Sequence, residues 1–475
     1  MIRIRLSIAV LPMLALGGCN LAPKYVRPEA PVTPKLPQGP AYPALAEGET
    51  TVDALGWRLF FTDARLQQVI AKALSDNRDL RIAVANVERA RALYRVERAA
   101  LIPAIGTTGT ASETRASAGR VTDNFSVQAG VSAYEIDLFG RLRNQSASAF
   151  QSYLATDEGR KATQIALVAE TASAWLTHAA TADALRIAEE TLVSRRETLA
   201  LNIRREANGI GTRLDVASAT TAVNSAEADV ADFRTSLAQA RNALDLLAGD
   251  ALPDDLLPMT LGNGDYLRGS LPVGLSSAVL LRRPDVLAAE HDLRAAYADI
   301  GAARAAFFPT ISLTGLLGFA SSGLGALFDG DSFQKSVSGN ARQTIFDGGG
   351  IAGNLGAANA SRDAALAAYE RAIQSAFREV SDALARRGTI DDKVTAQASL
   401  ESNAAIAYRL TQARFDAGIA NYLEPLDAQR TLYTAKQALV LARLTRAANM
   451  VELYRALGGG LNEGKARPAE ATSSP

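Results

Sequence analysis

The chain has 475 residues with 50 Lys or Arg and 50 Asp or Glu, so its formal net charge is zero. A balanced charge gives no support for a nucleic-acid partner. The single cysteine excludes an internal disulfide, and the two histidines, His178 and His291, lack metal-ligand spacing. After the first twenty residues no segment approaches twenty uncharged apolar residues, so no transmembrane helix is predicted. If the protein crosses a membrane, it must do so as a closed barrel.

The N-terminus predicts an exported protein. Residues 1–18 combine basic Arg3 and Arg5 with an apolar run and end in Gly-Gly before Cys19, as in a signal peptide. The arrangement resembles a bacterial lipobox, which implies a lipid attached to Cys19. The alternative is an incidental signal-peptide cysteine. The Pro-rich residues 19–48 are interpreted as an extended tether.

The rest of the chain is an internal duplication. Pro103 corresponds to Pro309, 206 residues later, and Gly209 corresponds to Gly418, 209 residues later. We predict a first structural repeat at 49–262, a second at 263–460 and a flexible tail at 461–475.

The predicted elements follow the same order in both repeats. In the first they are a helix at about 66–101, a β-hairpin at about 105–137, a long helix at about 141–208 and a return helix at about 213–247. In the second they are a helix at about 285–307, a hairpin at about 310–346, a long helix at about 351–417 and a return helix at about 422–457.

The long helices are predicted from spacing and composition. Residues 141–208 contain no proline, and Ile165, Val168, Ala172, Trp175 and Ala179 follow the 4-3 spacing of a helix seam. Such a helix would be roughly 100 Å long. Its seam is rich in alanine, so one chain has few bulky apolar side chains to bury, and self-assembly is expected.

The hairpins are predicted from alternation of polar and apolar residues, which is strict in Phe125–Tyr134 and interrupted in Phe333–Ile345. Their loops are placed near 113–124 and 321–332. Four strands cannot close a barrel, whereas three copies of the chain supply twelve. A sheet in a soluble protein is the alternative.

Each long helix is predicted to end in a tight turn. Gly209 and Gly418 suit the left-handed residue that stops a helix. Thr212 and Asn421 suit N-caps of the return helices. Asp215 and Glu424, three residues further on, lie where an acid completes or supports a cap.

Several motifs resemble the outer-membrane factor family, the TolC-like channels, and look closest to the lipoprotein branch that serves resistance-nodulation-division efflux systems. They are WRLFFTD at 57–63, LRIA at 80–83, RRPDV at 282–286, AARAAFFP at 302–309 and NYLEPLDAQR at 421–430. The resemblance implies a mainly α homotrimer, with a 12-stranded β-barrel in outer-membrane lipid that continues into a helical tunnel in the periplasm. It also implies two partners, a periplasmic adaptor and an inner-membrane transporter. The implied adaptor contacts are Gly209, Thr212, Leu214, Asp215, Gly418 and Asn421.

The resemblance further implies a constriction on the second return helix. Asp427 matches a family aspartate at the narrowest point of the closed tunnel, and Leu423 and Arg430 match positions beside it. Glu424 is either part of this gate or a helix cap. The plainer alternative is a surface pair of Asp427 with Arg430, worth a few tenths of a kcal/mol. Phe415 stands where some relatives have a tyrosine that ties the gate shut.

The function expected is passive efflux through a duct that opens when the adaptor and pump engage it. The alternatives are a duct for protein secretion by an ATP-driven exporter, and a periplasmic scaffold without a channel. No catalytic residue, metal or cofactor is expected, apart from the lipid on Cys19. Gly348-Gly349-Gly350 lacks the Gly-Lys-Ser/Thr of a phosphate loop.

Overall fold

The computed structural model describes residues 20–45, 52–117, 119–262, 266–269, 271 and 273–463. Cys19, the predicted signal peptide and the tail from residue 464 lie outside the described residues. In the described part, a mainly helical chain carries one four-stranded sheet, which confirms the predicted fold class. The elements are α1 (Trp57–Phe60), α2 (Ala64–Asp76), α3 (Arg78–Ala99), β1 (Ile105–Arg115), β2 (Val121–Glu135), α4 (Arg141–Ala207), α5 (Arg213–Ala248), α6 (Pro284–Ala305), β3 (Thr310–Ser321), β4 (Phe333–Arg342), α7 (Gly350–Asp416) and α8 (Leu423–Ala456).

The chain divides into two compact units, each assembled from both halves of the sequence. Within the described residues, unit 1 comprises 20–29, Ala85–Glu158 and Leu287–Arg371. Unit 2 comprises the described parts of Ala30–Val84, Gly159–Val286 and the chain from Ala372 onward. Neither unit therefore corresponds to one half of the sequence. No helix in the described ranges is both long enough and apolar enough to cross a bilayer.

Unit 1 contains the sheet. Its strands are antiparallel in the order β1-β2-β3-β4, so the two hairpins lie side by side and β2 pairs with β3. The first hairpin lies within the predicted bounds but has a shorter loop, because β1 and β2 stay paired as far as Arg115 and Val121. The second is shorter at its end, since β4 stops at Arg342 and Ile345 lies beyond it.

The prediction of a single helix at about 66–101 is wrong, because the structure has two helices, α2 and α3, with a break at Asn77. Asn77 has extended ψ at 133°, and its side-chain oxygen accepts a hydrogen bond from the Leu80 N–H at 3.0 Å. Its amide group donates to the Leu247 carbonyl at 3.0 Å. Asparagine favours such caps because its side chain competes with the helical backbone for hydrogen bonds.

The predicted seam of the first long helix is confirmed. Ile165, Val168, Ala172, Trp175 and Ala179 of α4 are all buried. The Trp175 indole N–H donates to the Leu256 carbonyl at 3.0 Å, so this buried aromatic side chain also has its polar group satisfied.

The N-terminal segment, predicted to be an extended tether, contains no helix in residues 20–45 and is docked onto the protein. In unit 1, Tyr25 and Arg27 bind Glu290 of α6, whose side chain is 3% exposed. In unit 2, the Leu36 N–H donates to the Leu275 carbonyl at 2.9 Å and the Leu36 side chain is buried. The segment is therefore held by buried contacts in each unit, and we call residues 20–45 the strap.

Candidate functional site: the two helix tips

The first tip joins α4 to α5 and has the predicted capping geometry. Gly209 has φ +74°, the left-handed conformation that ends a helix, and its N–H donates to the Glu206 carbonyl at 2.9 Å. Thr212 and Asp215 form a complete capping box, each side chain accepting from the other's backbone N–H. The predicted structural roles of these residues are confirmed.

The second tip joins α7 to α8 with nearly the same backbone. Gly418 has φ +73°, and its N–H donates to the Phe415 carbonyl at 3.0 Å. The Asn421 side chain accepts from the Leu423 N–H at 3.0 Å. Because Tyr422 already has helical dihedral angles, Asn421 acts as the N-cap, as predicted.

Glu424 differs from its counterpart Asp215. It lies in the first turn of α8, where an acid supports the helix dipole, but its carboxylate pairs with Arg414 at 3.1 Å. Glu424 therefore connects the end of α7 to the start of α8. Both partners are more than one-third exposed, so the pair contributes little stability.

Each tip also exposes apolar side chains. Ile210 and Ile419 in the turns are 68% and 72% exposed, and Leu214 and Leu423 in the first helical turns are 66% and 53% exposed. Clusters of exposed apolar side chains mark interaction surfaces. The sequence prediction missed Ile210 and Ile419, although each directly follows the glycine of its tip.

The predicted constriction residues share one face of α8. Leu423, Asp427 and Arg430 have 4-3 spacing, and all three are exposed in the single chain. The neighbouring face, about 100° around the helix, carries Leu426 and Gln429 and is buried, as is Tyr422 just before α8. The packing of α8 within the chain thus leaves one polar stripe that the chain itself does not cover.

The alternative interpretation, a surface ion pair between Asp427 and Arg430, does not agree with the structure. No ion pair joins them among the contacts of the described residues, although both are described. At the matching positions of α5 the first repeat has Ser218 and Thr221, which are neutral. The shared helical scaffold therefore does not require charges at these two positions.

Phe415 fills the apolar core beneath the second tip. It is 2% exposed and packs with Tyr422 and Leu426 of α8 and with alanines of α5. The Arg205 guanidinium, from the end of α4, lies 4.6 Å from the centre of the Phe415 ring. Burial raises the pKa of the neighbouring Tyr422 hydroxyl. Phe415 thus links the tips by packing, without the hydroxyl bond that a tyrosine would supply.

A polar cluster two turns before Phe415 was not predicted. The buried Gln429 side chain of α8 donates to the Ser194 hydroxyl of α4 at 3.1 Å and to the Tyr408 hydroxyl of α7 at 3.4 Å. The two hydroxyl oxygens lie 3.2 Å apart. This cluster joins three helices near the stripe. Its residues are far apart in sequence, and although Gln429 belongs to the motif at 421–430, nothing in the sequence connects it with Ser194 or Tyr408.

The histidines make local structural contacts. His178 Nδ1 lies 3.2 Å from the Pro258 carbonyl oxygen, and burial lowers the pKa of this imidazole. His291 Nδ1 lies 2.7 Å from the Gln151 side-chain oxygen. Within the described ranges, no group of three His, Cys, Asp or Glu side chains is arranged to hold a metal ion.

Comparison with known proteins places the chain in a family. The model of the outer membrane efflux protein family matches residues 69–250 and 275–459. The chain is 42% identical over 479 residues to the probable efflux pump outer membrane protein TtgC of Pseudomonas putida, covering 99% of each. It is 41% identical over 464 residues to outer membrane protein OprJ of Pseudomonas aeruginosa, covering 96% of each.

Solved structures agree. The open state of the MtrE outer membrane channel of Neisseria gonorrhoeae superposes with a TM-score of 0.85 at 38% identity, over 94% of this chain and 99% of that one. A membrane protein from Pseudomonas aeruginosa gives a TM-score of 0.86 at 39% identity, over 93% of this chain and 100% of that one. The fold is that of an outer-membrane channel. The chain belongs to the outer membrane efflux protein family, and the resemblance drawn from its sequence is confirmed.

Proposed function

We propose that this protein is the outer-membrane channel of a tripartite efflux pump and passively conducts small molecules from the periplasm to the outside. Three copies would form the membrane barrel from twelve strands and the tunnel from their helices. The support is membership of the efflux family, the shared fold and the names of relatives such as the efflux pump protein TtgC. These relatives favour efflux over protein secretion or a scaffold.

The observation that carries the gate is the uncovered stripe of Leu423, Asp427 and Arg430 on α8. In a threefold assembly around the stripe, three copies of Asp427 would ring the axis, with Arg430 and Leu423 beside them and Glu424 at the edge. Charged side chains brought together at a narrow point control which solutes and ions pass. Opening would untwist the α7–α8 and α4–α5 pairs and separate this ring.

The tips are the proposed contacts for the adaptor, which in turn would engage an inner-membrane resistance-nodulation-division transporter. Gly209, Thr212 and Asp215 shape one tip, and Gly418 and Asn421 shape the other. Ile210, Leu214, Ile419 and Leu423 would supply apolar contact area. Energy for transport would come from the partner, since the chain is proposed to be a duct and not an enzyme.

The protein is also proposed to be anchored by a lipid on Cys19, with most of the chain projecting into the periplasm. The support is the lipobox-like sequence together with the docked strap that begins at Asn20. Radiolabelled palmitate should enter the wild-type protein and not the Cys19→Ser variant. Equal labelling of both proteins would contradict the anchor.

The names of several relatives specify toluene, solvents or antibiotics. We therefore propose small organic molecules, largely apolar, as the substrates that the unseen pump delivers to this duct.

The experiment is ion conductance of the purified mature protein in a planar lipid bilayer. The Asp427→Ala, Arg430→Ala double variant should convert small, rare openings into large, stable ones. The matched control is Ser218→Ala, Thr221→Ala at the equivalent positions of α5, which should conduct like the wild type. Equal conductance of the wild type and both variants would mean that the gate lies elsewhere. No conductance from inserted protein would contradict the proposed channel itself.

A further inference from the structure

The sheet of each chain has two free edges, and they are complementary in length. The strand order makes β1 and β4 the edge strands, with 11 and 10 residues. An edge presents unpaired N–H and C=O groups, which closed barrels satisfy by pairing the first strand with the last. The proposed function brings β4 of one chain beside β1 of another, and the inference that follows rests on it.

The two edge strands also match in polarity. The register places odd-numbered residues of β1, β3 and β4 on one face, for example Thr107, Leu317 and Lys335, which share a row with Ala129 of β2. That face is mostly apolar, whereas the opposite face of β4 is polar throughout, from Gln334 to Arg342. In the proposed barrel, the first face meets lipid and the second faces the lumen.

Within the described strands of one chain, no acid on the lipid face lies directly opposite a base. Lys335 lies on β4 opposite Leu317 of β3. On β1 and β2, Glu113 lies directly opposite Asp123, and like charges in this arrangement destabilise a sheet. In the described part of the chain, no ion pair involves Lys335, Glu113 or Asp123. The basic residue nearest to Glu113 on this face, Arg115, pairs across the sheet with Val121.

The strand lengths and faces leave one register for the contact between chains. Only two antiparallel registers pair all ten residues of β4 with β1, placing Phe333 opposite either Arg115 or Thr114. The second would turn the polar face of β4 against the apolar face of β1, because a shift of one residue exchanges the faces. The first keeps both faces matched and sets Lys335 opposite Glu113.

This register also produces the stagger of a closed barrel. Through the ladder of its own chain, Val337 is in line with Gly315, Val131 and Ile105. Across the contact between chains, Val337 would instead lie opposite the partner subunit's Ala111. A row of paired residues that is followed across one chain and into the next therefore reaches β1 at a different position. This displacement along the strands is what strand tilt in a closed barrel requires.

We infer that Lys335 of each chain forms an ion pair with the partner subunit's Glu113 on the lipid face of the barrel, and that this pair sets the register between chains. The ammonium group offsets the repulsion between Glu113 and Asp123, and the carboxylate neutralises a lysine that would otherwise face lipid alone. An unpaired charge on the lipid face of a barrel costs free energy that depends on its depth, so the pair favours the register that forms it over registers that separate the charges.

The test is disulfide cross-linking in intact outer membranes. Residues directly opposite in an antiparallel pair have Cα atoms about 4.5–5.5 Å apart, within the range of roughly 4.4–6.8 Å that a disulfide spans. Mild oxidation of the Glu113→Cys, Lys335→Cys variant should give covalent dimers and trimers, and a reductant should convert them back to monomers in denaturing electrophoresis. The matched controls are Ala111→Cys with Lys335→Cys, one step along the same face, and Ser112→Cys with Lys335→Cys, on opposite faces.

We expect the Glu113/Lys335 pair to cross-link at least tenfold faster than either control. Faster linkage of the Ala111/Lys335 pair would overturn the inferred register. If no pair links although the chain is trimeric by native mass measurement, the inference fails and the proposed channel stands. If the unoxidised protein is monomeric and does not conduct, the proposed function fails as well.

A charge exchange tests the ion pair itself. Lys335→Glu and Glu113→Lys should each reduce the fraction of trimer that survives heating in detergent, and the double variant should recover most of it. A double variant as weak as the two single variants would refute the ion pair.

Discussion

The strap offers the sharpest test of the packing, through substitution of the buried acid that holds it. Glu290 of α6 accepts hydrogen bonds from the Tyr25 hydroxyl at 3.0 Å, from Arg27 Nε at 3.1 Å and from Arg294 at 2.6 Å. Tyr25 also packs edge-on against Tyr297 and lies under the Arg294 guanidinium. Glu290→Gln keeps the shape of the side chain and removes its charge.

The expected loss follows from these contacts. The strap donates three hydrogen bonds to the Glu290 carboxylate, one from Tyr25 and two from Arg27. The amide nitrogen of the glutamine cannot accept, so at least one bond normally worth about 1.5–3 kcal/mol is lost. Arg27 is 46% exposed, so solvent screening reduces its share. A net cost of about 2 kcal/mol in strap docking is reasonable, which corresponds to about a 30-fold increase in the opening equilibrium.

The same contact predicts a pH dependence. Burial alone would raise the pKa of Glu290, but hydrogen bonds from Arg27 and Tyr25 and the charge of Arg294 outweigh it, so the pKa lies below its usual value. The stabilisation is therefore fully present above the ordinary glutamate pKa of about 4.3 and is lost as the pH falls through the lower pKa of the folded state. Glu290→Gln should abolish this acid-dependent release of the strap.

Hydrogen exchange of the amides at 20–29, together with tryptic cleavage after Lys24, measures strap opening. Both rates should rise about 30-fold in Glu290→Gln by the estimate above. The control is Glu88→Gln, because Glu88 is 67% exposed and its pair with Arg91 spans 3.8 Å, and we expect less than a twofold change. Exchange in Glu290→Gln that stays within twofold of wild type would refute the assigned role of Glu290.

Two further predictions concern the tips. Tyr408→Phe removes the hydroxyl that contacts Ser194 and Gln429, at a cost of about 0.5–1.5 kcal/mol. Spontaneous channel openings in a bilayer should therefore become about two- to tenfold more frequent. An unchanged opening frequency would mean that this cluster does not restrain the helices. Phe415→Ala should cost about 3–5 kcal/mol by leaving a cavity under the second tip and removing the ring beneath Arg205, seen as faster hydrogen exchange at 408–424. Phe415→Leu should lose much less, and an equal loss would indicate that the aromatic ring itself matters more than filled volume.

Much of the fold could be read from the sequence because its signals are local. Helix periodicity identified the buried seam around Trp175, and alternation of polar and apolar residues identified the strands. Gly209 with Thr212 and Asp215 marked a tip because a left-handed glycine and a capping box need only a few neighbouring residues. The break at Asn77 was missed because the helix-forming residues on both sides outweighed the capping preference of the single asparagine.

Some features of the candidate site could likewise be predicted from the sequence, whereas others depended on the packing of the chain. The motif that contains Asp427 was recognisable from the sequence, but its exposure on an uncovered stripe required the packing of α8. The pairing of Glu424 with Arg414, where a cap was expected, depended on how the end of α7 meets the start of α8. Likewise, the exposure of Ile210 and Ile419 is a property of the folded turns.

The duplication, the order and type of the main elements, the capped tips and the family could all be recognised from the amino-acid sequence. The tertiary structure alone decided which distant residues meet: Arg27 with Glu290, the cluster of Ser194, Tyr408 and Gln429, and the lack of an acid for Lys335 within its own sheet. The physical reason is the distance along the chain over which each kind of interaction acts. Capping and periodicity act within a turn or two of the backbone, whereas these contacts depend on the rotation and register of separate elements, which are set by packing over the whole chain.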